Sequence, residues 1–224
     1  MLNEHLDRIY GNFQEYREAN ADSFPNEFGG CVAIFCNPLT FNPRGSLFRS
    51  LVNEDNVWIA VGCHPKKVKF LNKRTLQQLN ECIRMPQVVA VGEIGLDYSG
   101  MFHLEAEIQK DVFRTQIKLA LDVSKPIVIH CRDAEEDCFS ILKAECPLNW
   151  LIHLHCYMLD FEHAQKWLDT FPNLYIGLTP KVTYKNAFDV HDTARKIPLT
   201  RLVLESDAPY FIPSIVSKFS ISFL

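Results

Sequence analysis

Four side chains able to hold a metal ion each close a short apolar run: Glu93 in VVAVGEIG, His130 in PIVIHC, His155 in LIHLHC and Asp207 in LVLESDAPY. Imidazole and carboxylate together form a mixed nitrogen and oxygen donor set suited to Zn²⁺, Mn²⁺ or Mg²⁺. Chemistry also stands at His5, close to the first residue. A single histidine at a strand end is as readily a hydrogen-bonding group as a ligand. Several ionisable groups buried together without a metal or mutual pairing would be costly, so their joint occurrence favours a metal site. Separate segments that deliver polar groups at equivalent positions describe the active face of a barrel enzyme.

The elements that must carry these groups follow from hydrophobic patterning. Apolar, β-branched runs recur at 31–36, 57–63, 88–94, 127–131, 151–156, 174–178 and 202–204. Most are nearly continuous rather than alternating, as expected of parallel strands covered on both faces. Helical spacing lies between them. Ile108, Val112, Phe113, Ile117, Ala120 and Leu121 form one predicted apolar stripe, and shorter repeats end before Pro86, Pro147 and Pro198. Strand and helix therefore alternate, and polar residues at nearly every strand end favour a closed TIM-type (β/α)8 barrel over an open doubly wound sheet. The runs supply seven strands, so the expectation is a single domain, 1–224, with the first strand and the last covering helix missing from the chain.

Composition agrees with one α/β domain of 224 residues and formal charge −4, which argues against bulk electrostatic binding of nucleic acid while leaving local cations free to hold a phosphate. One basic cluster stands out, Lys66, Lys67, Lys69, Lys73 and Arg74. The eight cysteines show no CxxC spacing and fall largely in strands, so reduced core thiols and an intracellular setting, cytoplasmic or nuclear, are expected. No apolar run approaches the roughly 20 residues of a membrane-spanning helix. A monomer without membrane association is the expectation.

VGCHP, VAVGEIGLDY, PIVIHCRDAEED, HLHCY and ESDAPY, in that order, resemble the TatD family of metal-dependent deoxyribonucleases, hydrolases of the amidohydrolase-like barrel type. The resemblance covers nearly the whole chain. It looks nearest the animal branch with a nuclear-associated member, through IHLHCY and TYKNAFDVHDTARKIPL.

The resemblance implies two divalent metal ions, Mg, Mn or Zn, and hydrolysis of phosphodiester bonds in DNA, with RNA as the alternative substrate, by a metal-activated water. It makes Glu93 the bridging glutamate, His130 and His155 the later histidines, Asp207 the final aspartate and His5 the second histidine of an HxH pair. Asn3 stands where that pair has its first histidine, which is expected to weaken one ion. Glu93 and Asp207 would align the attacking water. His153 shares strand parity with His155, and the match to HCY selects His155. His64 and Arg132 are candidate phosphate contacts, Asp97 and Glu205 candidate supports for the ligands. Two other readings stand beside the nuclease: a catalytically impaired relative that binds nucleic acid or protein, and a small-molecule amidohydrolase. The absence of a strand-end lysine for a carbamylated bridge disfavours the latter.

Overall fold

The structure, a computed structural model, describes residues 12–21 and 28–215. Asn3 and His5 lie outside the described residues. Seven strands form one parallel sheet in chain order: β1 (Cys31–Phe35), β2 (Val57–Val61), β3 (Val88–Asp97), β4 (Ile127–Arg132), β5 (Ile152–His155), β6 (Leu174–Leu178) and β7 (Leu202–Leu204). All seven coincide with the predicted runs, and β3 extends three residues further, to Asp97. The sheet curls into a partial barrel of alternating strands and helices. Helix α1 (Phe13–Ala19) precedes β1, and α2 (Ser46–Val52), α3 (Lys73–Cys82), α4 (Ala106–Asp122), α5 (Glu135–Glu145), α6 (Phe161–Thr170) and α7 (Phe188–Lys196) fill the successive crossovers. None of the described helices is long and apolar enough to cross a membrane.

Side-chain alternation divides each strand between two environments. Val57, Ile59 and Val61 of β2, Ile127 and Ile129 of β4, Ile152 and Leu154 of β5, and Leu174, Ile176 and Leu178 of β6 join one large core beneath the helices. The opposite parity carries Ala60, Ala90 and Val128, a separate small cluster, and then His130, His153 and His155 towards the C-terminal ends. Both faces are not equally covered: Val32 and Trp58, near the N-terminal end of the inner face, are 49% and 44% exposed. Among the described residues β1 and β7 are unpaired edges, so no opposite wall covers this layer.

The long helix α4 departs from its predicted stripe. Phe113, Ile117 and Ala120 are fully buried, but Ile108 is half exposed, and the buried face is completed by Gln109 and Gln116. Seven residues apart, these two amides lie two turns apart on one face and reach the ends of two strands. Gln116 accepts from the Cys63 N–H at 2.6 Å and donates to its carbonyl at 3.2 Å. Gln109 does the same for Asp97, at 2.8 and 2.9 Å. Strand-end backbone that would otherwise be buried without partners is thereby satisfied, immediately before His64 and at Asp97 itself.

Candidate metal centre at the strand ends

The strand ends bring Glu93, His130, His155 and Asp207 together. His130 directs Nε2 to Asp97 Oδ2 at 2.9 Å. A carboxylate only accepts, so that nitrogen carries the proton and the Nδ1 lone pair is left facing Glu93 Oε2, 3.9 Å away. His155 is arranged in the mirror sense: Nδ1 donates to Glu205 Oε2 at 2.7 Å, and Nε2 faces Glu93 Oε1 at 3.8 Å and Asp207 Oδ1 at 3.5 Å. Each oxygen of the buried Glu93 thus confronts one imidazole nitrogen, beyond hydrogen-bond reach.

These separations fit a shared cation. Two ligand bonds of about 2.1 Å at a tetrahedral angle put donor atoms about 3.4 Å apart. Charge points the same way, because four carboxylates, Glu93, Asp97, Glu205 and Asp207, converge here with the Lys66 ammonium. Nearby thiols add no charge: burial pushes Cys36 and Cys63 up to about 12 and raises Cys156.

The carboxylates behind the histidines are held ionised. Burial opposes ionisation of Glu205, but His153 close beside it and the hydrogen bond from His155 outweigh it and keep the acid at about 2. Burial likewise opposes Asp97, while His130, Ser99 and Lys66 hold it well below the usual carboxylate range. Burial would lower His155, but the Asp207 and Glu205 carboxylates raise it well above the ordinary imidazole value, so without a cation Nε2 also carries a proton, directed at Asp207, and a bound metal ion would take that proton's place. Glu205 also accepts from the Cys156 N–H. To reach β5 from beyond β7 it passes over β6 at Gly177, where an added Cβ would lie 2.4 Å from His153 Nε2 and 2.5 Å from Glu205 Oε1.

A chain of 216 matched residues, 4–219, fits the model of the TatD related DNase family. The chain belongs to the TatD family. It is 40% identical to the human 3'-5' RNA nuclease TATDN2 over 96% of this chain and 29% of that protein. It is 32% identical to an uncharacterised metal-dependent hydrolase, BU355, of Buchnera aphidicola over 94% of this chain and 80% of the relative. The crystal structure of YJJV, a TatD homolog of Escherichia coli, superposes with a TM-score of 0.72 at 26% identity, covering 82% of this chain and 69% of that one. The chain therefore spans less than a third of the length of its human relative.

Within this TatD-family chain the remaining expected site residues are placed as follows. His64 follows β2, its ring centroid 4.3 Å from that of His130. Burial, with His130 beside it, keeps it neutral well below the ordinary imidazole value. Its Nδ1 accepts from the Lys66 N–H at 3.0 Å, which puts the proton on Nε2 and makes that edge a donor. Arg132 takes neither of the ion pairs open to it in the sequence, with Asp133 or Glu135; its contact is Met158 Sδ at 3.7 Å. His153 is one layer deeper than His155, with Nε2 3.2 Å from Glu205 Oε2 but outside hydrogen-bond geometry.

Other expectations change. The basic cluster is not one free patch: Lys66 pairs with Asp97 at 3.1 Å and Lys69 with Glu105 at 2.7 Å. Of the three histidines in helix and loop segments, for which the sequence suggests solvent exposure, His103 and His163 are exposed, but His191 is half-buried and bonded to the Val182 carbonyl at 2.9 Å. Sequence reasoning missed Gln109, Gln116, Gly177 and Lys181. Only the two glutamines had a legible signal, their shared phase with Phe113 on α4.

Proposed function

We propose that this chain is a metal-dependent phosphodiester hydrolase acting on DNA or RNA, with Glu93, His130, His155 and Asp207 as metal ligands. The observation that carries the reading is Glu93 flanked by two imidazole nitrogens, each histidine fixed from behind by a carboxylate. Family membership and the RNA nuclease named among its relatives support the nucleic-acid substrate. Two divalent ions sharing Glu93 would supply an activated water and offset charge on the phosphate.

The chain's own residues account for the rest. Asp97 holds a proton on His130 Nε2 and Glu205 holds one on His155 Nδ1, so the other nitrogen of each ring is the one a metal ion would take, displacing from His155 Nε2 the proton that the carboxylates around it favour. Asp207, with its Oδ1 3.5 Å from His155 Nε2, is positioned to align and deprotonate the attacking water. His64 offers its Nε2–H to a non-bridging phosphate oxygen, and Arg132 offers a guanidinium to the substrate backbone. His5 would complete the second ion's ligands, with Asn3 in place of an imidazole.

The test is cleavage of end-labelled single-stranded DNA and RNA in Mg²⁺ and in Mn²⁺, with Glu93→Gln in parallel and folding of both proteins verified by circular dichroism. Cleavage that chelator and Glu93→Gln both abolish is expected. Folded protein that binds metal yet cleaves neither strand overturns the hydrolase and leaves a binding role.

A further inference from the structure

Beside the metal ligands lies a cavity of about 180 Å³ lined by Arg132, His155, Tyr157, Met158 and Lys181, with Asp133 and Glu135 also on its wall. Two half-buried cations share it. Arg132 reaches Met158 Sδ at 3.7 Å, and Lys181 Nζ reaches the same sulfur at 2.8 Å and stands 5.9 Å from the Phe211 ring centroid. A thioether is a weak acceptor, and an aromatic face at that distance is a weak partner. Neither cation makes an ion pair among the described residues, although Asp133 and Glu135 line the same space. Elsewhere half-buried cations are satisfied: Lys66 by Asp97 and Lys110 by Asp137.

The two come from different elements, Arg132 from the end of β4 and Lys181 from the turn after β6, and they converge on the side of β5 that carries His155. Holding two cationic heads together in a partly desolvated cleft next to a metal centre is unfavourable unless an anion enters between them. A phosphate held by an Arg fork and a Lys ammonium relieves this with charge-assisted hydrogen bonds.

We infer that Arg132 and Lys181 form a clamp for a second phosphate of a polynucleotide strand, the one adjoining the bond placed at the metal centre. This rests on the phosphodiesterase reading above and extends it: the favoured substrate is a strand with consecutive phosphates rather than an isolated diester. Lys181 is then a positioning residue, contributing to strand affinity and register rather than to the chemical step.

The test measures binding separately from turnover. Fluorescence anisotropy of a labelled single-stranded oligonucleotide, with chelator present, is compared for unaltered protein, Lys181→Met, Lys181→Arg and the remote surface control Lys166→Met, all checked for equal melting temperature. Lys181→Met should weaken binding about 10-fold and reduce the salt slope of log affinity by about one, while Lys181→Arg restores most of it. Unchanged affinity and salt slope in Lys181→Met overturn the clamp, whether or not the protein cleaves. Where cleavage is measured, the loss should appear in KM rather than kcat; an equal loss in kcat overturns the positioning role. A protein that binds through Lys181 but never cleaves retains the clamp and refutes only the hydrolase.

Discussion

Adding one methyl group at Gly177, which alters no candidate ligand, should disable the metal centre. The new Cβ would stand 2.4 Å from His153 Nε2 and 2.5 Å from Glu205 Oε1, where ordinary contact begins at 3.4 Å, so both side chains must move by most of an ångström. Overpacking of this kind costs about 1 to 3 kcal/mol. Displacing Glu205 also loosens its bond to His155 Nδ1, a charge-assisted interaction worth about 1.5 to 3 kcal/mol. Alanine returns about 0.4 to 1 kcal/mol by restricting the unfolded chain. The net loss is about 2 to 5 kcal/mol, or a melting shift of roughly 5 to 15 °C. Once Glu205 no longer fixes the His155 tautomer, divalent metal affinity should fall about 10- to 100-fold. Calorimetry on metal-free protein reads the first effect and competition against a chromogenic chelator reads the second. Removing the His153 ring in the double variant Gly177→Ala/His153→Ala should recover part of both losses. Melting and metal affinity that match the unaltered protein would refute the crowding argument, and a double variant worse than the sum of its parts would refute the role given to His153.

Three further outcomes are expected. Gln116→Leu leaves the buried Cys63 N–H and carbonyl without partners and should cost about 2 to 4 kcal/mol in urea unfolding, far more than its change in hydrophobicity suggests. Phe113→Ala should cost about 3 to 5 kcal/mol, whereas Ile108→Ala, at a half-exposed position, should stay within about 1 kcal/mol; the reverse order would restore the stripe expected from the sequence. Asp137 is held below the ordinary carboxylate value by hydrogen bonds from Tyr98 and then Lys110. Its contribution is therefore present above the unfolded value of about 3.9 and fades as pH falls through the lower folded value. With 44% of the side chain exposed, screening keeps it under about 1 kcal/mol, and Asp137→Asn should flatten the acid limb of a stability–pH curve by no more than that.

All seven strands were legible because parallel strands under helices read as short unbroken apolar runs, and their C-terminal ends are where such a fold exposes polar groups. Glu93, His130, His155 and Asp207 were singled out for that reason, and the family resemblance gave them their proposed roles as ligands. What escaped the sequence depends on direction rather than on position. His153 and His155 have identical parity, and only the side-chain contacts separate them: His155 aims Nε2 at Glu93 and Asp207, while His153 packs beneath Glu205. Lys66 read as a member of a basic patch because its partner, Asp97, lies 31 positions away in sequence and 3.1 Å away in space. Gln109 and Gln116 look like surface residues on any hydrophobic scale; their phase with Phe113 on α4 is the one hint in the sequence, and the strand-end backbone that they satisfy accounts for their burial. Lys181 sits in a turn after proline, where a lysine is ordinarily solvated; its significance arises from the opposing guanidinium.

The two histidines illustrate how sparse a set of residues can define such a centre. Each is backed by a carboxylate delivered from a different strand end, Asp97 from β3 to His130 on β4 and Glu205 from beyond β7 to His155 on β5. Each approach also passes a glycine. At Gly95, paired with His130 in the sheet and held at φ +139°, a Cβ would strike the His130 carbonyl at 2.0 Å; at Gly177 it would strike Glu205 itself. A larger residue at either place would fill the space needed for strand and carboxylate to approach the ring. Fixing a histidine tautomer therefore requires more than an acid within reach: it requires an element of backbone with nothing on it. That coupling explains why the two imidazole rings confront Glu93 with such symmetry, and why the determinants of the proposed metal site extend to residues that carry no functional group.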